Sequence, residues 1–210
     1  MARILFLNPN ANTACGAGIS EALDRFRING GPVIDVISLA NGPPAIVSWR
    51  DWHNAVEPLC QAVTREAADF YVVACASDPG IEAVQAETSA PVLGAFRAAV
   101  SVAAGIGRFG VIALAEASKA RHLMALRTIG LEQRLAGEIA MNLSIPELLE
   151  PTGARDALIS TARLLAGQGA QAIILGCTGM AHHRAAIASA CGLPVIDPCQ
   201  AAAGISLARL

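Results

Sequence analysis

The chain has 210 residues, 54% of them hydrophobic but only 4% aromatic, with a formal net charge of −2. That composition supplies a sizeable core of Ala, Val, Ile and Leu, enough for one large or two small α/β domains. It provides no Lys/Arg cluster for nucleic acid or an anionic membrane, so the expected partner is a small molecule.

In chain order, RILFLN (Arg3–Asn8) is expected as a buried strand closed by NPNAN (Asn8–Asn12). Asn12 or Thr13 then caps a helix over 13–26. A strand at 33–38 leads into LANGPPAIVSW (Leu39–Trp49), which is either a lid over a site or an ordinary connection. A helix over 51–68 precedes a strand at 70–75 that ends in Cys75. Asp78, Pro79 and Gly80 then look like an N-cap followed by proline at the first helical position, opening a helix over 80–88. Strands at 91–94, 108–114, 171–176 and 194–197 alternate with helices at 96–104, 117–129, 154–168, 180–191 and 199–209. GEIAMNL (Gly137–Leu143) stands as the counterpart of PVIDVIS (Pro32–Ser38). Such alternation implies parallel sheets with helices on their faces.

Three landmarks recur at nearly one interval. Ile4 to Phe109 is 105 residues, Cys75 to Cys177 is 102 and Pro91 to Pro194 is 103. A period this long, in two copies, indicates a duplicated α/β half-domain of four strands rather than a solenoid.

Several functions are excluded by motif order. Gly105, Gly107 and Gly110 spell GxGxxG, but ahead of a strand instead of between a strand and a helix, so no dinucleotide site is expected. No phosphate-binding GxxxxGK(S/T) occurs, and Lys119, the only lysine, sits early in a surface helix, a poor place for a Schiff base. His182 and His183 follow Cys177, but only one further thiol could complete a zinc set, so they are expected exposed or packed on a helix. The uncharged stretch Leu164–His183 is interrupted by glycines and glutamines and holds one strand's length of apolar residues, so no membrane span is expected. Arg3 and Asn8–Asn10 interrupt the place where an export signal would need an apolar run. Six cysteines with no CxxC pair fit a reducing cytoplasm.

Chemistry concentrates at two of those cysteines. Cys75 and Cys177 each end a buried strand and are followed by small, helix-starting residues, where fixed N–H dipoles favour thiolate. Thr178 offers a hydroxyl, and Gly179 permits close backbone approach for a developing oxyanion. Asn8, at the end of the first strand, presents an amide suited to a carboxylate or an imide carbonyl. Cys15, Cys60, Cys191 and Cys199 are expected as small buried hydrophobes.

These residues, in this order, resemble the aspartate/glutamate/hydantoin racemase superfamily, and within it the hydantoin and allantoin racemases. NPNAN at Asn8, ACASDPG at Ala74, PVLG at Pro91, RFGVIAL at Arg108, LGCTGMA at Leu175 and PVIDP at Pro194 carry the resemblance over nearly the whole chain. It implies an α/β fold of two similar domains, each a four-stranded, mainly parallel sheet flanked by helices, related by a pseudo-twofold axis. We expect residues 1–97 plus 199–210 in the first domain and 98–198 in the second. The resemblance further implies a racemase or epimerase with no cofactor and no metal, using Cys75 and Cys177 as acid and base at a carbon next to a carbonyl. The substrate would be hydantoin-like or amino-acid-like. Asn8, Ser77, Thr178 and Gly179 become candidates for holding substrate oxygens, joined by Asp78, which shapes its loop. Arg97 stands where the group usually has an acidic residue, and Ala113–Leu114 where relatives often have threonine or serine, so the substrate stays open. Ser118 lies slightly further on.

Other chemistries share these features. A cis–trans isomerase of the maleate type also uses two cysteines, whereas the decarboxylase branch lacks the first. A non-catalytic module for a small anion or imide would use the same cleft, and a redox pair would join Cys75 to Cys177. The charge-poor, Ala/Val/Leu-rich composition leads us to expect a homo-oligomer.

Overall fold

The computed structural model describes residues 1–149 and 153–210. Strand β1 (Arg3–Asn8) is followed by helix α1 (Thr13–Leu23), β2 (Val33–Ser38), α2 (Trp49–Asn54), α3 (Val56–Arg65), β3 (Phe70–Val73), α4 (Ile81–Ala86), β4 (Val92–Gly94) and α5 (Ala95–Ile106). The second half runs β5 (Phe109–Ala113), α6 (Glu116–Thr128), β6 (Leu135–Ala140), α7 (Ile145–Leu149), α8 (Arg155–Gly167), β7 (Ala172–Gly176), α9 (Arg184–Cys191), β8 (Val195–Ile196) and α10 (Pro198–Leu207). Each half forms one four-stranded parallel sheet, ordered β2-β1-β3-β4 and β6-β5-β7-β8. The same topology thus occurs twice, as the repeated landmarks predict.

The central strands are buried along almost their whole length because helices cover both faces of each sheet. Ile4–Leu7, Phe70–Val73, Phe109–Ala113 and Ala172–Gly176 are all buried. Helix α5 joins the two cores. Its Ala95 and Ala98 pack into the β1–β3 core, while Phe96, Ala99, Val100 and Ala103 pack into the β5–β7 core. The division expected between residues 97 and 98 falls inside this helix. From the far end of the chain, α10 returns Cys199, Ala202 and Ala203 to the first core, and small side chains let it approach closely.

Boundaries differ from expectation where caps decide them. Ser48 and Asp51 form a capping box, so α2 starts at Trp49, and Ala55 separates it from α3 instead of continuing one helix over 51–68. Strand β3 stops at Val73, two residues short of Cys75. Thr178–His183 is a 3₁₀ turn ahead of α9. The five-residue α7 carries no amphipathic pattern long enough to be visible in the sequence.

Candidate active site

Parallel strands of two facing sheets bring their carboxyl ends together, and both cysteines line one cavity there. Ala74–Ser77 contribute from the first half and Gly176–Thr178 from the second. Leu114 and the α6 residues Ser118, Arg121 and His122 complete the wall, with Cys15 and Asn10 at one side. Ala45 and Ile46 also line the cavity, so the 39–49 loop serves as a cover, fixed by the Ala11 N–H donating to the Pro43 carbonyl at 3.0 Å. The cavity and its mouth hold about 540 Å³ of atom-free space, and among the described residues no acidic side chain lines them.

The first cysteine sits in a turn held from a distance. Asp78 adopts a left-handed backbone, φ 46°, followed by Gly80 at 60°, which turns the Asp78 carboxylate away from its own helix. The expected N-cap role is therefore corrected: α4 starts at Ile81 with no side-chain cap. Instead the carboxylate accepts the backbone N–H groups of Phe96 and Arg97 at 2.8 and 2.9 Å, capping α5. Gly94 makes room for this clamp, since a Cβ there would lie 2.3 Å from the carboxylate carbon. Burial pushes Asp78 up to about 7 against those donors. Its side chain anchors the Cys75 turn and is absent from the cavity wall.

The two sulfurs have matching donors and unequal surroundings. Cys75 accepts from the Ser77 N–H, with the Ser77 hydroxyl 3.4 Å away, and Cys177 accepts from the Gly179 N–H. Both donors lie two residues beyond their cysteine. The expectation that N–H dipoles favour thiolate is corrected by burial. Desolvation outweighs one or two donors, raising Cys75 and pushing Cys177 up to about 12. Nearby Arg121 draws Cys75 back down, whereas Cys75, Cys15 and Asp197 push Cys177 further up.

Of the remaining candidates, Ser77 and Thr178 line the cavity, and Gly179 lines an adjoining groove together with Thr178 and His182. Asn8 does not reach the wall. Its Nδ2 donates to the Ser38 hydroxyl at 3.0 Å and to Asn10 Oδ1 and the Asn12 carbonyl at 3.3 Å, so it braces the turn while Asn10 faces the cavity. Asn12 caps α1, accepting from the Ala14 and Cys15 N–H groups. All six cysteines are free. Of the four expected as buried packing residues, Cys15 and Cys199 are buried, and Cys60 and Cys191 are half-buried.

Two wall residues escaped sequence reasoning. Arg121 is buried, its Nη2 donating to the Val47 carbonyl at 3.1 Å and to the Ser118 hydroxyl at 3.3 Å. His122 stacks on Phe96, ring centroids 4.5 Å apart, and its Nδ1 meets buried Glu138 at 2.5 Å. The available signal was spacing: Ser118, Arg121, His122 and Ala125 fall on one i, i+3, i+4, i+7 stripe of α6, so polar residues occupy a buried face.

Among the described residues, no three His, Cys, Asp or Glu side chains are placed to hold a metal ion. His183 is buried, its Nε2 lying 3.2 Å from the Leu148 carbonyl, and Lys119 pairs with Glu116 on the surface. No helix among the described residues is long and apolar enough to cross a membrane.

The family model of the Asp/Glu/hydantoin racemases matches residues 4–205. The chain belongs to this family. A hydantoin racemase from Paenarthrobacter aurescens is 32% identical, the match covering 97% of this chain and 89% of the relative. A second, from Pseudomonas sp. (strain NS671), is 26% identical over 93% of this chain and 80% of its own. The allantoin racemase from Klebsiella pneumoniae superposes with a TM-score of 0.90 at 28% identity, covering 100% of this chain and 88% of that one. The glutamate racemase from Francisella tularensis, at a TM-score of 0.74 and 20% identity, covering 100% and 81%, shares the fold. This chain is accordingly an isomerase of the racemase type.

Proposed function

We propose that this racemase inverts a carbon next to a carbonyl in a hydantoin-like or amino-acid-like molecule, with Cys75 and Cys177 as base and acid and no cofactor or metal required. The supporting observation is that two cysteines at equivalent places in a repeated fold line one cavity, each with an N–H donor two residues beyond it. Hydantoin and allantoin racemase relatives point to the same ring chemistry.

In this scheme the thiolate of one cysteine takes the proton from the substrate carbon. The C–H electron pair moves into the carbonyl, giving a planar enolate. The thiol of the other cysteine then protonates the opposite face, leaving an inverted carbon and a thiolate on that second sulfur. Ser77, Thr178 and Asn10, all on the cavity wall, hold the substrate oxygens. One such donor to a developing oxyanion contributes about 3 kcal/mol. The return reaction exchanges the roles of the sulfurs.

We also divide the chain into domains of residues 1–97 plus 199–210 and 98–198, a reading supported by the return of α10 to the first core. Cytoplasmic action as a homo-oligomer belongs to the same proposal and rests on the charge-poor composition.

The test is hydrogen exchange at the reacting carbon in heavy water. A 5-substituted hydantoin, allantoin, aspartate, glutamate and maleate are assayed side by side. Cys75→Ser and Cys177→Ser should each abolish racemisation, and full activity in either variant overturns the two-thiol scheme. Turnover of maleate alone would replace racemisation by cis–trans isomerisation.

A further inference from the structure

Helix α6 buries a guanidinium that forms no close ion pair among the described residues. Arg121 is 1% exposed, and its Nε and Nη1 find no acceptor. Asp51 acts on it only at a distance, its own oxygen accepting from the Ser48 amide and hydroxyl, each at 2.8 Å. The Trp49 ring lies 5.8 Å from the guanidinium carbon, which packs the cation without cancelling its charge. Among the described residues, no acidic side chain lines the cavity that Arg121 enters.

A buried cation with open donors is costly until an anion completes it. Within the site, the enolate exists only during turnover, and burial keeps the thiols protonated at rest. Neither is a resting counter-ion. A carboxylate brought by the substrate would be one.

We propose that Arg121 is a specificity residue that binds a substrate carboxylate, so that the preferred substrate is a hydantoin whose C5 substituent ends in a carboxylate. Val47 and Ser118 hold Nη2 in place, while Nε and Nη1 of this cavity-lining side chain are left without an acceptor. Neutral alkyl and aryl hydantoins leave those donors unmet, and a ureido carbonyl accepts from them without cancelling the charge. This inference rests on the racemase reading and names the substrate class within it.

The test compares 5-(carboxymethyl)hydantoin with its neutral isostere 5-(carbamoylmethyl)hydantoin. Exchange at C5 is followed in heavy water, and binding by calorimetry. The wild-type enzyme should favour the acid by at least about tenfold in kcat/KM, mainly through KM, in the range of one charge-assisted hydrogen bond. Arg121→Met should remove that preference, and Arg121→Lys should restore part of it. Equal kcat/KM for acid and amide in the wild type, a comparison needing no variant, overturns the proposal. So does an equal loss on both compounds in Arg121→Met, because Arg121 would then act on the enolate they share. If neither compound exchanges its C5 proton, the racemase reading fails, and binding alone decides: tighter binding of the acid, lost in Arg121→Met, supports the carboxylate site, and equal binding overturns it.

Discussion

Raising the pH should accelerate both alkylation and turnover, because burial holds the two thiols protonated. With Cys177 near 12, its thiolate fraction at pH 8 is about one in ten thousand, and forming it costs about 5 kcal/mol at ~1.36 kcal/mol per pH unit. Cys75 is also raised by burial, but Ser77 and Arg121 act to lower it, so the resting thiolate falls mainly on Cys75. The pair titrates as a unit, and its macroscopic steps are what an assay reports. Iodoacetamide modification followed by peptide mass spectrometry should show Cys75 reacting before Cys177, with rates climbing about tenfold per pH unit from 7 to 9. Exchange at the substrate carbon should climb over the same window. Fast modification independent of pH between 6 and 8, or Cys177 reacting first, would refute the reasoning. Slow alkylation at pH 7 is then the expected behaviour of the catalyst and no sign of a mere binding protein. For stability the sign follows from the raised folded value. Cys177 leaves stability unchanged below its ordinary 9.0, and the folded state loses up to about 4 kcal/mol as pH rises from there toward 12.

Gly94→Ala should expel the Asp78 carboxylate from the first turn of α5, since the added Cβ would meet it at 2.3 Å. Losing two charge-assisted hydrogen bonds, at about 1.5 kcal/mol each, costs about 3 kcal/mol and lowers the thermal midpoint by roughly 10 °C. The displaced Cys75 turn should lower kcat as well, and an unchanged melting curve would show that the clamp has slack. Glu138→Ala should strip buried His122 of its partner at 2.5 Å. A loss of about 2 kcal/mol in chemical denaturation is expected for a buried imidazole nitrogen left without its partner, and an unchanged midpoint would mean that stacking on Phe96 alone holds the imidazole.

The strands were legible because central strands of covered parallel sheets are continuous apolar runs, as in Ile4–Leu7 and Ala172–Leu175. The two cysteines were legible because each follows such a run at a nearly constant interval. What escaped the sequence depends on partners far along the chain. Asp78 next to Pro79 looks like a local cap, yet its donors are Phe96 and Arg97. Helix dipoles are local and visible from sequence, whereas the burial that overrides them arises only when two halves and the 39–49 loop enclose the sulfurs. Asn8 and Asn10 are equally polar in NPNAN, and only the strand's register with β2 turns Asn8 toward Ser38. Arg121 belongs to the same class, since its burial depends on Val47, 74 residues earlier.

The repeat makes the two sulfurs equivalent in position, while their neighbours make them unequal in acidity. Ser77 and Arg121 act to lower Cys75, and Cys75, Cys15 and Asp197 act to raise Cys177. Two-base racemisation needs one thiolate and one thiol at a time, on opposite faces of the carbon. A perfectly symmetric pair would share its proton deficit equally between both arrangements. In the unequal pair both sulfurs rest as thiols and Cys75 gives up its proton first, which readies the site for the enantiomer whose C–H bond faces Cys75. Turnover of that enantiomer leaves a thiolate on Cys177, the costlier arrangement, which is relieved either by the reverse reaction or by proton transfer back between the sulfurs. Under the proposed two-thiol scheme, a fold built from two like halves supplies the opposed acid and base, and residues that differ between the halves decide which sulfur starts.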